Sequence, residues 1–193
     1  METHAFGNFV PENARYLILG SFTAKESPTG NGLKDPAYDW FYGTKRNQFW
    51  PILEEVYGIE FSTLEDKQQL FTRLGIAIAD IILKCERKHG SNLDANLINI
   101  EYNKEAIKNI LDCNKIEKVF FTSRFVETKF LKEFINEISD HPEIELLTLP
   151  SPSPRYARVS KNEKILEYKK LLPKTVLYPD YSPPTSPKIS IFK

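Results

Sequence analysis

Tyr16-Leu17-Ile18-Leu19-Gly20 is the stretch on which the fold turns. Four bulky residues run on with no charged or amide side chain among them, and Gly ends the run. A strand with one wet face alternates apolar and polar residues. Continuous apolarity bounded by Gly reads instead as a strand covered on both faces. Three later runs follow the same rule: Gly75-Ile76-Ala77-Ile78-Ala79-Asp80, Lys118-Val119-Phe120-Phe121-Thr122 and Glu145-Leu146-Leu147-Thr148-Leu149, the last stopped by Pro150. Helical spacing falls between and after them, over residues 47–57, from about Ser62 to Leu74, and over 102–111, 124–138 and 160–172. Pro51 is tolerated in the first turn of its helix, and Ser62-Thr63-Leu64-Glu65 resembles a capping box. Buried strands separated by helices predict the α/β class. The expected architecture is a three-layer α/β/α sandwich around a central four-stranded parallel sheet with right-handed crossovers.

Composition narrows the function classes. The chain has 193 residues, 41% hydrophobic and 27% charged, enough for one globular domain with a substantial core. Lys plus Arg number 26 and Asp plus Glu number 26, so any nucleic-acid footprint must be local. Cys85 and Cys113 are the only cysteines; they cannot ligate a four-thiolate cluster and read as reduced thiols. No cofactor or metal is expected. The start, METHAFGNFVPEN, has no signal-peptide pattern, and no apolar run reaches membrane length. The expectation is a cytoplasmic monomer with no membrane partner. Residues 1–172 are expected to form a single domain and 173–193, with five prolines, an extended tail. Residues 1–14 read as a polar lead-in, 23–39 as a long loop and 84–96 as a basic polar loop.

In open parallel sheets, ligands bind beyond the carboxyl ends of the strands. Gly20-Ser21-Phe22 lies at the first such end, where Gly permits close approach and backbone N–H groups can receive a polar ligand. Neither GxGxxG nor GxxxxGK[ST] occurs, which argues against a nucleotide cofactor. Trp40 to Leu53, WFYGTKRNQFWPIL, packs five aromatics around Lys45, Arg46 and Asn47. On local sequence, Asn47 is a helix cap. Ser91-Asn92-Leu93-Asp94 follows a cluster of Lys84, Arg87, Lys88 and His89, readable as a solvated loop or as phosphate contacts. In Leu149-Pro150-Ser151-Pro152-Ser153-Pro154-Arg155-Tyr156, prolines stiffen the loop and the Ser hydroxyls can grip phosphate. Arg155 and Tyr156 can enter a groove as wedge and anchor.

These segments, in this order, resemble the uracil-DNA glycosylase superfamily, and within it the hypoxanthine-DNA glycosylase-like branch. The resemblance rests on Gly20-Ser21, Phe41-Tyr42, Asn47-Gln48-Phe49-Trp50, Asp80, Cys85-Glu86-Arg87, Ser91-Asn92-Leu93-Asp94 and Leu149 to Pro154. It spans roughly residues 15 to 170. The chain departs from the branch after Gly20-Ser21: Phe22-Thr23-Ala24 stands where the branch continues x-Pro-Gly. The last motif of many superfamily members opens with His, and here that position is Leu149. The three histidines, His4, His89 and His141, lie outside the motif.

The resemblance implies a monofunctional DNA glycosylase that flips out and hydrolyses a deaminated base, hypoxanthine or uracil, from damaged DNA. It implies a catalytic role for Asn47, whose carbonyl would align water. Base contacts would come from Gly20, Ser21, Phe22, Tyr42 and Asp80, with Phe22 and Tyr42 stacking. DNA contacts would come from Lys84, Arg87, Ser91, Ser151, Ser153, Arg155 and Tyr156. The alternative from another class is a non-catalytic α/β binding module for nucleic acid or protein, in which Asn47 is only a cap.

Overall fold

The computed structural model describes residues 1–23 and 40–174. Most of the expected long loop, and the Pro-rich stretch beyond Lys174, lie outside the described residues.

The four apolar runs form one parallel sheet: β2 (Tyr16–Gly20), β3 (Ile76–Asp80), β6 (Lys118–Phe121) and β7 (Glu145–Thr148). Their spatial order is β3-β2-β6-β7. Register puts Ile18 beside Ile78 on one side and Phe120 on the other. Because side chains alternate along a strand, each face then needs its own cover. Ile18, Ile76, Ile78 and Phe120 pack with α1 (Phe49–Tyr57), α2 (Leu64–Leu74) and α6 (Lys161–Leu171). Leu17, Leu19, Ala77, Ala79, Val119 and Phe121 pack with α3 (Lys104–Cys113), α4 (Arg124–Glu133) and α5 (Ile135–Ser139). This is the three-layer α/β/α sandwich with a four-stranded parallel sheet. Burying each large aliphatic or aromatic side chain contributes about 1.5–3 kcal/mol, so both faces matter to stability.

A second, antiparallel sheet, which the sequence reading lacks, is built from β1 (Glu2–Thr3), β4 (Ile82–Arg87) and β5 (Leu97–Tyr102) in the order β1-β4-β5. Three expectations change as a result. Residues 84–96 are not simply a loop, since they begin inside β4. Tyr102 ends a strand, and the helix after it starts at Lys104. The lead-in is structural: Glu2 and Thr3 pair with β4, and Phe9 bridges Ile78. The strand period in β4 is hidden by register shifts between Ile82 and Lys84 and between Lys84 and Glu86. They bring Ile82 and Cys85, three apart, to buried positions.

The helix expected over 124–138 breaks at Phe134 (φ −116, ψ 22), whose ring stacks on Phe130 at 5.1 Å. Capping boxes open α2 (Thr63 with Asp66) and α6 (Ser160 with Glu163). No helix among the described residues is long and apolar enough to cross a membrane.

Candidate active site

At the carboxyl end of β2, between β3 and β6, the backbone of Gly20 is closely covered by two polar side chains. A Cβ on Gly20 would collide with Asp80 Oδ1 and the Tyr42 hydroxyl. Both groups are held in place. Asp80 Oδ2 is 2.8 Å from His4 Nε2. The Thr122 hydroxyl donates to the Leu19 carbonyl at 3.1 Å, so it accepts from the Tyr42 hydroxyl at 2.9 Å. Burial, with Asp80 nearby, pushes the Tyr42 phenol well above its usual pKa and keeps the proton on. The Tyr42 ring stacks on Phe49 at 4.3 Å, and its backbone sits at φ 58, in the left-handed region. Gly20→Ala is therefore expected to destabilise the fold by about 1–3 kcal/mol, which urea unfolding of the variant checks.

The turn after Gly20 is braced by charge. The Ser21 hydroxyl donates to Asp94 Oδ1 at 2.7 Å, and burial raises the Asp94 pKa against that hydrogen bond. The Ser21 and Phe22 N–H groups donate to no partner among the described residues. Phe22 carries the Arg87 guanidinium over its ring at 5.1 Å. Thr23, which stands where the resembling branch has Pro, bonds His4 Nε2 through its hydroxyl at 2.9 Å and receives Arg87 Nη2 on its carbonyl.

Asn47 lies just outside α1, whose first residue is Phe49 and whose cap position is Gln48. The helix thus starts two residues later than expected. Asn47 Oδ1 accepts the Phe49 N–H at 2.9 Å, which also fixes which end of the amide is oxygen. The carbonyl keeps a second acceptor lobe. Nδ2 has no partner among the described residues. The local bond makes Asn47 a cap-like group, and it leaves the amide end available.

The Leu149–Tyr156 loop is drawn to the same place. The Gln48 N–H donates to the Pro152 carbonyl at 2.9 Å. Lys164, 1% exposed on α6, donates to Gln48 Oε1 at 2.9 Å and to the Ser153 carbonyl at 3.3 Å. Burial lowers the Lys164 pKa. The Tyr168 hydroxyl donates to the Pro150 carbonyl at 3.0 Å. Ser151 and Ser153 hydroxyls accept the N–H groups of Ser153 and Arg155, both at 3.3 Å. Arg155 and Tyr156 are exposed, with the Tyr156 ring over the Lys164 ammonium at 5.6 Å.

The structure therefore gathers Gly20, Ser21, Phe22, Tyr42, Asp80, Asn47, Ser151 and Ser153 through one chain of contacts. It corrects the basic cluster. Arg87 has a side chain 3% exposed and donates to Glu2 Oε2, Asn92 Oδ1 and the Thr23 carbonyl, so it braces the turn rather than facing solvent. Lys84 pairs across strands with Glu101 at 3.0 Å, and Ser91 accepts the Leu93 N–H at 3.2 Å. Lys45 and Arg46, next to Asn47 in sequence, and Arg155 and Arg158, in and just after the Ser-Pro loop, are exposed cations. None of these four makes an ion pair among the described residues. Sequence reasoning also passed over His4, Thr122 and Lys164 as site residues. His4 had no spacing partner to mark it, and a lysine on a polar helix reads as solvated. A surface groove of about 390 Å³, lined by Phe9, Glu65, Gln68, Gln69, Thr72 and Arg73, shares no residue with this site.

A solution NMR structure from Methanosarcina acetivorans, named a "putative Uracil DNA glycosylase", is similar over 88% of this chain and 95% of its own, with TM-score 0.62 and 21% identity. The two chains share a fold. No protein-family profile matches this sequence, and no curated protein does.

Proposed function

We propose that the chain is a monofunctional DNA glycosylase that extrudes a deaminated base, hypoxanthine or uracil, and hydrolyses its N-glycosidic bond. The observation that carries this reading is the Gln48 N–H bond to the Pro152 carbonyl. It joins the segment bearing Asn47 to the Ser-Pro loop, and the Tyr42–Phe49 stack links that segment to Gly20 and Asp80. The shared fold agrees with it.

Each part then has a task. Lys45, Arg46, Arg155 and Arg158 attract the phosphate backbone, and Ser151 and Ser153 grip it locally. Arg155 and Tyr156 fill the stack left by the extruded nucleotide. The base enters over Gly20, its carbonyl oxygen received by the Ser21 and Phe22 N–H groups. Asp80 Oδ1 accepts an N–H from the base edge. Phe22, which already carries Arg87, and Tyr42, which already stacks on Phe49, contact the base through their rings. Expulsion of the base leaves an oxocarbenium-like sugar, and preorganised neutral dipoles can stabilise both fragments. The spare acceptor lobe of Asn47 orients the attacking water.

Oligonucleotides carrying single hypoxanthine, uracil or undamaged bases test the proposal. Purified protein is expected to release the deaminated base in chelator, leaving a strand that alkali then cleaves. Borohydride is expected to trap no protein–DNA adduct, Lys45 being the one amine close to Asn47 in sequence. Absence of release from every oligonucleotide would leave the binding-module reading.

A further inference from the structure

The N-terminal segment delivers to the site a histidine that the chemistry above does not use. His4 follows β1, and its side chain is 3% exposed. Nδ1 accepts the Phe6 N–H at 3.3 Å, so Nδ1 carries no proton and Nε2 must carry one. That Nε2–H faces Asp80 Oδ2 at 2.8 Å and Thr23 Oγ1 at 2.9 Å. The rings of Phe6, Phe22 and Phe41 flank the imidazole, with centroids 6.1, 5.7 and 5.4 Å away. One tautomer is thus fixed inside an aromatic box. Asp80, also buried, has one oxygen committed to His4, while Oδ1 has no hydrogen-bond partner among the described residues and lies against Gly20, where a Cβ would meet it.

We infer that His4 is a positioning residue: by holding Oδ2 it locks Asp80 so that Oδ1 presents a rigid acceptor to a ring N–H of the extruded base. Hypoxanthine offers that group at N1 and uracil at N3. The inference rests on the glycosylase reading and adds a residue and a selection rule to it. An unanchored carboxylate could rotate about its Cα–Cβ and Cβ–Cγ bonds and give up the acceptor geometry. His4 opposes this without adding a second charge, because the imidazole is neutral. It also ties the same carboxylate to Thr23, so the orientation of Asp80 and the path of the Phe22 turn are set together. A base methylated at that nitrogen has no proton to give and would meet Oδ1 with a methyl group.

The test uses the full chain and single-turnover excision from hypoxanthine and uracil oligonucleotides, comparing the parent with His4→Ala and His4→Gln. Loss of one oriented buried hydrogen bond predicts about a tenfold fall in maximal rate for His4→Ala. DNA affinity should be unchanged, because phosphate contacts set it. Gln can place an amide N–H near the imidazole Nε2 position, so His4→Gln is expected to restore most of the rate. An N1-methylhypoxanthine oligonucleotide should resist the parent. Nitrogen-15 NMR of the parent should find His4 protonated at Nε2 alone, and Asp80→Asn should disturb that signature. Equal rates for His4→Ala and the parent, no advantage of Gln over Ala, or a His4 ring protonated at Nδ1 would each overturn the inference. A parent that releases neither base would overturn the glycosylase reading and the base-edge role with it. The His4–Asp80 pairing would then stand or fall on the NMR signature.

Discussion

Asn47→Ala is expected to lower the single-turnover excision rate on the order of a hundredfold or more while the protein still folds and binds DNA. The magnitude is that of removing one preorganised dipole from a water-excluded site. The rival expectation comes from the bond that Asn47 makes locally. Its Oδ1 accepts the Phe49 N–H at the head of α1, and loss of a cap costs about 1 kcal/mol with little effect on chemistry. The two roles are separable because they use different lobes of the amide. Asn47→Asp keeps the acceptor for Phe49, suits the positive end of the helix and can still align water, so it should preserve stability and part of the rate. Asn47→Ala removes both. Urea midpoints measure the capping share, and single-turnover rates at saturating enzyme measure the catalytic share. A folded Ala variant that excises at the parent rate would remove Asn47 from the mechanism.

The parts of the molecule legible in the sequence are those whose chemistry is written in adjacent residues. Tyr16 to Gly20 and its three counterparts are covered on both faces, so their apolarity needs no knowledge of partners, and the parallel sheet follows. Gly20 and Asn47 can be singled out from sequence because they sit at or beside an element end, where the sequence also marks a boundary. The antiparallel sheet was missed for a physical reason. Bulges in β4 replace the two-residue period with a buried pair three apart, Ile82 and Cys85. β1 is only two residues long and carries no periodicity of its own. His4 became visible only once β1 had paired with β4 and brought the imidazole to Asp80, 76 residues away. Two cations are buried against what their local sequence suggests. A cation in a polar loop reads as solvated, but Arg87 turns inward because Glu2 and the Thr23 carbonyl wait there. Lys164 is buried because Gln48 and the Ser-Pro loop supply its acceptors. Such commitments are long-range, and no spacing rule announces them.

Arg87 gives the second large effect, and it separates two physical roles cleanly. As a phosphate contact, its loss would weaken DNA binding, reduce the salt dependence by about one unit of slope and leave stability alone. The observed guanidinium is enclosed. Nε donates to Glu2 Oε2 at 3.0 Å, Nη1 to Asn92 Oδ1 at 3.0 Å, and Nη2 to the Thr23 carbonyl, while its plane covers Phe22. Removing one member of a fully buried charged pair costs about 3–5 kcal/mol, because the partner is left without its counter-charge; with the Glu2 side chain 25% exposed, the lower end of that scale applies. Arg87→Ala is therefore expected to lose stability on that scale and to free the Phe22–Thr23 turn, while the salt slope of DNA binding by the folded fraction stays that of the parent. Arg87→Lys should not rescue it, since an ammonium cannot serve three divergent acceptors in one plane or lie flat on the ring. Denaturant unfolding of the parent and both variants, alongside DNA binding at several salt concentrations, reads the two roles independently. A variant with parental stability and a reduced salt slope would return Arg87 to the DNA surface.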